Sequence, residues 1–335
     1  MKAAVLYGRE DVRVQDVESP ALRPGEVRVA IGAALTCGTD LKVFKRGYHA
    51  RMIVPPAVFG HEFAGTLCEI GAGVQGWNRG DRVVAANSAP CGACHYCKNG
   101  QENLCDDLLF LNGAYAESIV LPRRLVEKNM LRLGPETRFR DAALTEPLAC
   151  VVHGWEESGT RPGQNVLIIG SGPIGLMFAA LACDQQCRVT VAGRGRRLET
   201  ARQLGAQIIE ANGQADFRGS GEFDIVIEAV GKPEAWEAAV RSVRKGGRVN
   251  LFGGCPPGTA VTLDTNLLHY SNLTLLSSFH HTPRAIRRAL ELIEGDVVPA
   301  PLFVDGEATL EELPDLFRSM ASENRAVKTF VRTSG

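Results

Sequence analysis

The run Gly170-Ser171-Gly172-Pro173-Ile174-Gly175, caught between two apolar stretches, constrains the fold more than any other feature of the chain. Residues 165–170 (NVLIIG) have the length and apolarity of a buried strand, and residues 173–183 are apolar over a helical length. At a strand-to-helix turn, glycines in this G-x-G-x-x-G pattern allow a tight reversal, close approach of a pyrophosphate, and tight helix packing. The helix then presents its positive N-terminus to the phosphates. Alone, the six residues also describe a glycine-rich surface turn; the flanking elements favour a dinucleotide loop, with Gly170, Gly172, Pro173, Ile174 and Gly175 as its contacts.

The alternation continues downstream. Arg188–Gly193 (RVTVAG) predicts a strand, residues 196–206 a helix, 207–211 and 223–231 strands, 233–243 a helix, and 247–254 and 273–279 two further strands. Repeated β and α elements of this kind predict an α/β, doubly wound parallel sheet. Ligands gather at the carboxyl ends of such strands, which makes Ala229, Val230, Gly253 and Ser277 candidate nicotinamide neighbours. Pro283–Glu294 reads as an amphipathic helix leaving the sheet. The first 150 residues differ: short alternating runs broken by Pro and Gly predict a β-rich, barrel-like domain with few helices.

An NAD site ordinarily ends its second strand with an acidic residue for the ribose 2′-hydroxyl. Here residues 191–197 read VAGRGRR. Small Gly193 followed by Arg194 and Arg197 suits a 2′-phosphate, so NADP is expected ahead of NAD. The alternative is that these arginines open a solvated helix, with Arg197 along the adenine.

At 335 residues, two cores are the default. The formal charge of −1 gives no basic excess to attract nucleic acid. The N-terminus becomes charged before any signal-like apolar run, and no stretch reaches the ~18 apolar residues of a membrane span. A soluble, cytoplasmic protein without membrane or nucleic-acid partners is therefore expected.

Ten cysteines without a secretion signal point to metal ligation rather than disulfides. Four of them, Cys91-x2-Cys94-x2-Cys97-x7-Cys105, can surround one tetrahedral ion, zinc or an iron–sulfur cluster. Four thiolates would fill the shell, which makes such a site structural. Separately, Cys37-Gly38-Thr39-Asp40, Gly60-His61-Glu62 and Glu146-Pro147 bring a sulfur, an imidazole and two carboxylates from three segments. Each alone is more often a core or surface residue than a ligand.

Taken in order, CGTD, GHE, the four-cysteine knuckle, EPLACVVHG and GSGPIG resemble the zinc-dependent medium-chain alcohol and polyol dehydrogenases over nearly the whole chain. The resemblance implies a GroES-like catalytic domain with a structural-zinc lobe at 1–150, a Rossmann NAD(P) domain at 151–284, and a return to the catalytic domain at 285–335. It implies a catalytic zinc held by Cys37 and His61, with Glu62 a direct or water-mediated ligand and Glu146 the remaining carboxylate. Thr39 would pass the alcohol proton outward, and Lys42 stands where some relatives complete that relay with histidine. A glutamate at 146 resembles the branch acting on polyols, sugars and threonine, so the expected substrate is a secondary alcohol or its ketone. Relatives commonly form homodimers or homotetramers. Residues 106–115 are shorter than in many relatives, which suggests a more open pocket. His153 is read as a packed residue, and His280 and His281 as residues placed to touch substrate. Two other readings remain: a zinc-free quinone or enoyl reductase, which would lack both metal sets, and a non-catalytic nucleotide-binding protein on the same fold.

Overall fold

The computed structural model describes residues 1–49, 52–211, 217, 222–322 and 326–333. Contacts divide the chain into one unit of Met1–Ala149 with His281–Gly335, and a second of Cys150–His280.

In the first unit, the central strand is Val27–Leu35, an apolar run buried along most of its length. It pairs antiparallel with Glu62–Ile70, which begins opposite Leu35, and with Ser118–Leu121. The C-terminal strand Lys328–Arg332 lies antiparallel on Val27–Leu35, matching Phe330 to Leu35, and carries Val304–Thr309 in parallel beyond it. Two strands that open with functional-type residues, Glu62 and Lys328, thus flank the segment where Val27–Leu35 runs out toward Cys37.

Among the described residues of 1–149 the structure has more helix than the alternation pattern predicts. Gly38–Arg46, His95–Lys98, Arg123–Lys128, Phe139–Ala142 and the start of Thr145–Ser158 are all helical. Most of them are one or two turns, too short to leave a periodic signature. Gly38–Arg46 packs on an aromatic cluster: Phe44 stacks on Phe317 at 5.5 Å, and Phe317 meets Phe59 at 5.3 Å and Tyr115 at 6.0 Å between ring centroids. Each such pair stabilises by about 0.5–1.5 kcal/mol beyond area burial. Phe317 belongs to the C-terminal helix Leu313–Ser322, so the end of the chain completes the core beneath the first helix.

The second unit is a six-stranded, all-parallel sheet. Its spatial order is Gln207–Glu210, Arg188–Gly193, Asn165–Ile169, Phe223–Glu228, Val243–Leu251, Thr274–Leu276. The order reverses between Asn165–Ile169 and Phe223–Glu228, the switch point at which doubly wound sheets bind nucleotides. The final strand is shorter than 273–279: it ends at Leu276, because Ser278 turns inward to accept from Asn250 Nδ2 (2.9 Å) and His280 takes a positive φ of 62°. Ser277 therefore lies just past the strand rather than within it.

Candidate active site

The chain leaves the central strand at Thr36 and enters helix Gly38–Arg46 with Cys37 as its N-cap, the thiol accepting from the Thr39 N–H at 3.4 Å. One turn into the helix, Asp40 is buried and its Oδ1 lies 2.8 Å from His61 Nδ1. Its other oxygen accepts from Tyr115 Oη at 2.6 Å. Tyr115 is fully buried in the aromatic cluster, so packing beneath the helix fixes the carboxylate that orients the imidazole. His61 also interacts with the Cys37 side chain, which helps to hold the imidazole in its protonated form.

Cys37, His61 and Glu62 present ligand atoms within 4.8 Å of one another. Burial, then the Glu62 charge, pushes the Cys37 thiol up. Burial alone would lower His61, but the Asp40 carboxylate outweighs it and raises the imidazole well above its ordinary range. These are the marks of a site built for a positive charge: a half-buried thiol beside a buried carboxylate, with a buried imidazole pre-oriented by a second carboxylate as in metal-ligating histidines. A zinc ion fits this donor set.

Glu146, in the first turn of Thr145–Ser158, is buried in the same cluster but is not one of those three donors. Burial, with Glu62 adding, raises its carboxyl to about 7. Its Oε1 is 3.8 Å from His281 Nε2, and His281 is buried and 3.1 Å from Asn87 Oδ1. Thr39 is half-buried and Lys42 exposed on the same helix. His153 is buried on the second unit, with Nε2 3.5 Å from Glu157.

Sequence reasoning missed Lys328. Its Nζ is buried and donates to Glu62 Oε1 (2.7 Å), Glu62 Oε2 (2.6 Å) and Thr36 O (3.0 Å). Burial alone would lower this ammonium, but Glu62 and Cys37 hold it raised. Nothing in KTFVR separates such a lysine from a solvated strand end; only the register that sets residues 328–332 beside Val27–Leu35 does. Asp40 lies inside the CGTD segment, where sequence alone gives it no role, and Tyr115 carries no sequence signal at all. Because Asp40 holds His61, Asp40→Asn is expected to lower turnover and metal retention about 10–100-fold. Steady-state rates with metal analysis check this; a variant indistinguishable from the parent would remove Asp40 from the site.

In the knuckle, Cys91, Cys94, Cys97 and Cys105 present sulfurs within 4.8 Å of one another, with Cys91–Cys97 and Cys94–Cys105 each at 3.9 Å. A tetrahedron with ~2.3 Å metal–sulfur bonds has edges of about 3.8 Å. A disulfide would need ~2.05 Å, and an iron–sulfur cubane would spread the sulfurs further apart. Backbone N–H groups of Ala93 and Cys94 donate to Cys91 Sγ at 3.3 Å each and, as the leading cause, lower its thiol to about 6. The geometry suits zinc.

On the second unit, Gly170 (φ 118°) ends strand Asn165–Ile169, Gly172 caps helix Pro173–Asp184, and Pro173 opens it. A Cβ on Gly175 would stand 1.9 Å from Gly170 O, so close helix–strand packing demands glycine there. A Cβ on Gly172 would meet nothing within 4 Å. The protein's own packing leaves Gly172 free, and that open space before a helix N-terminus is where a pyrophosphate fits. Ile174 is half-buried in the helix's first turn. Gly193 ends its strand against Ser171, Arg194 is exposed beyond it with its N–H on Ser171 Oγ (3.3 Å), and Arg197 is half-buried at the start of the next helix. Glu228 Oε1 accepts from the Val230 and Gly231 N–H groups (2.7 and 2.9 Å), which shapes the turn carrying Ala229 and Val230; burial raises its carboxyl to about 7. Gly253 accepts from Trp236 Nε1 at 2.8 Å. Ser277 is exposed.

Two family models match the chain: the alcohol dehydrogenase GroES-like domain over residues 23–130 and the zinc-binding dehydrogenase domain over 173–295. The chain is 33% identical to D-altritol 5-dehydrogenase of Agrobacterium fabrum, covering 92% of each. It is 28% identical to sorbitol dehydrogenase of Bacillus subtilis, over 99% of this chain and 97% of that one. A zinc-binding dehydrogenase structure from Sinorhizobium meliloti, bound to NADP, superposes with TM-score 0.89 at 28% identity, covering 99% of this chain and 98% of the other. No helix among the described residues is long and apolar enough to cross a membrane.

Proposed function

The chain belongs to the zinc-dependent medium-chain alcohol dehydrogenases, and from that membership we propose that it moves hydride between a secondary alcohol of a polyol or sugar and NADP, with one catalytic and one structural zinc. The observation that carries this reading is the buried convergence of Cys37 and His61, the latter aimed by Asp40, within one unit. It is supported by the relatives named for altritol and sorbitol and by the solved relative that holds NADP. The quinone-reductase alternative lacks such donors, and a non-catalytic protein has no use for a pre-oriented imidazole beside a thiol.

Bound there, zinc would supply Lewis-acid polarisation and a nicotinamide would supply a hydride acceptor. The chain's own residues do the rest. Cys37 and His61 would hold the ion, with Glu62 as a direct or water-mediated ligand and Glu146 as the remaining carboxylate near it. Asp40 fixes the tautomer and aim of His61, and Tyr115 holds Asp40 in place. The Thr39 hydroxyl, two residues from Cys37, is assigned the first step of proton exit; exposed Lys42 follows it on the helix. Gly170, Gly172, Pro173, Ile174 and Gly175 would receive the pyrophosphate, Arg194 with Gly193 and Arg197 the 2′-phosphate, and Ala229, Val230, Gly253 and Ser277 the nicotinamide side. The domain limits follow the same reading: residues 1–150 and 285–335 for catalysis, 151–284 for the cofactor. Cytoplasmic residence and a homodimeric or homotetrameric state complete the proposal.

A screen of polyols and sugars with both nicotinamides tests the activity: NADP-dependent oxidation of at least one secondary alcohol is expected, and no turnover with any zinc-loaded combination would contradict it. The arginine assignment has its own check. Arg194→Ala is expected to raise the KM for NADP roughly tenfold, the weight of a charge-assisted contact, and to leave NAD nearly unchanged. An equal loss for both cofactors would remove Arg194 from the 2′-phosphate.

A further inference from the structure

Position 193 ends its strand in glycine for want of room rather than for backbone conformation. Gly193 lies within the strand Arg188–Gly193, and its φ is not positive. A Cβ there would nevertheless stand 2.3 Å from Ser171 Oγ, 2.5 Å from Ser171 Cβ and 3.1 Å from Ser171 N. Rotating the hydroxyl would clear the first of these contacts but not the second, because a Cβ is fixed by its backbone. The backbone is tied on both sides: the Gly170 N–H donates to Ala192 O at 2.7 Å, and the Ala211 N–H donates to Gly193 O at 2.7 Å. Ser171 is buried, and its hydroxyl closes on the residue after Gly193, accepting from the Arg194 N–H at 3.3 Å and donating to Arg194 O at 3.4 Å. One side chain thus fills the place of a residue-193 side chain and holds the backbone that carries Arg194.

An NAD site puts a carboxylate at the end of this strand to accept from the ribose 2′-hydroxyl, and the same carboxylate would repel a 2′-phosphate. We propose that Ser171, between Gly170 and Gly172, is a specificity-determining residue that bars an acidic side chain from position 193 and seats Arg194, and so selects NADP over NAD, a role that rests on the NADP reading above. Arginine supplies the attraction for the phosphate, and Ser171 removes the group that would oppose it; discrimination between two ligands draws on both kinds of effect. An acidic residue introduced at 193 is therefore ineffective while Ser171 stays. With glycine at 171, the nearest remaining atom is the residue-171 nitrogen at 3.1 Å, a contact that a shift of a few tenths of an ångström relieves.

Calorimetric titration of the zinc-loaded protein with NADP and with NAD tests this without turnover. The parent is expected to bind NADP the more tightly. Gly193→Asp alone is expected to weaken NADP roughly a hundredfold, through like-charge repulsion, and to bring no gain for NAD. The double variant Ser171→Gly/Gly193→Asp is expected to bind NAD about tenfold more tightly than Gly193→Asp does, the weight of a hydrogen bond to a charged group, and to prefer it to NADP. Reversal of preference by Gly193→Asp alone, or a double variant no better for NAD than that single one, overturns the proposal. A second measurement needs no cofactor. Gly193→Ala brings only a methyl group, and it is expected to lower the melting temperature by several degrees in the parent background and by far less beside Ser171→Gly, the mark of two side chains competing for one space. Equal losses in the two backgrounds overturn the proposal, whether or not Gly193→Asp folds. The NADP reading fails differently: a parent that binds NAD as tightly as NADP contradicts that reading, whereas the melting comparison fails only if Ser171 does not fill the place of a residue-193 side chain.

Discussion

Cys37→Ala is expected to abolish turnover, by about 10³-fold or more, while the protein stays folded and carries one zinc in place of two. The size follows from what the residue holds. Lewis-acid stabilisation of charge on a reacting oxygen is worth several kcal/mol, and each ~1.4 kcal/mol is tenfold in rate. Folding is spared because the thiol is only half-buried and packs at a helix cap rather than in the aromatic cluster formed by Phe44, Phe59, Tyr115 and Phe317. Turnover, metal content and a melting curve on the same preparation check all three parts. Undiminished turnover would remove Cys37 from catalysis; two zincs retained would place the second ion elsewhere.

Cys105→Ser is the second large effect, and it falls on the knuckle. The lobe has almost nothing else to hold it: His95–Lys98 has no buried residue and Glu102–Leu104 only Asn103. Its order therefore depends on the ion, and zinc contributes ~10–16 kcal/mol to small peptides of comparable ligand count. Serine at position 105 is expected to release that zinc and to speed amide exchange across residues 91–105 by roughly 10²-fold or more, as local opening replaces a metal-locked state. The Cys37 site sits on different elements and is expected to keep its ion. Unchanged exchange in the lobe would mean that the four sulfurs are not what holds it.

The fold of the second unit was legible because its information is local. An apolar strand, a glycine turn and an apolar helix adjoin one another in sequence, and the close contact between Gly175 and Gly170 O lies within six residues. The last strand is shorter than its apolar pattern predicts, because LTLLSSF reads as strand through Phe279 and only the inward bond from Asn250 to Ser278 marks where pairing stops. In the first unit, the short helices left no periodicity to read. The metal-type residues were legible as types but not as a site: Cys37, His61 and Glu146 are separated by dozens of residues, and their grouping came from resemblance to a family. Lys328 and Tyr115 were invisible for a physical reason. A lysine earns notice when it is buried, and burial here is decided by a strand that returns some 290 residues after the one it pairs with. Asp40 is an intermediate case, close to Cys37 in sequence yet meaningful only through its bond to His61.

Anomalous diffraction at the zinc absorption edge, on crystals of the zinc-loaded protein, bears most directly on the site. One peak is expected inside the knuckle sulfurs and a second between Cys37 Sγ and the His61 nitrogen that Asp40 leaves free. A knuckle peak with no density at Cys37 and His61 would contradict the account.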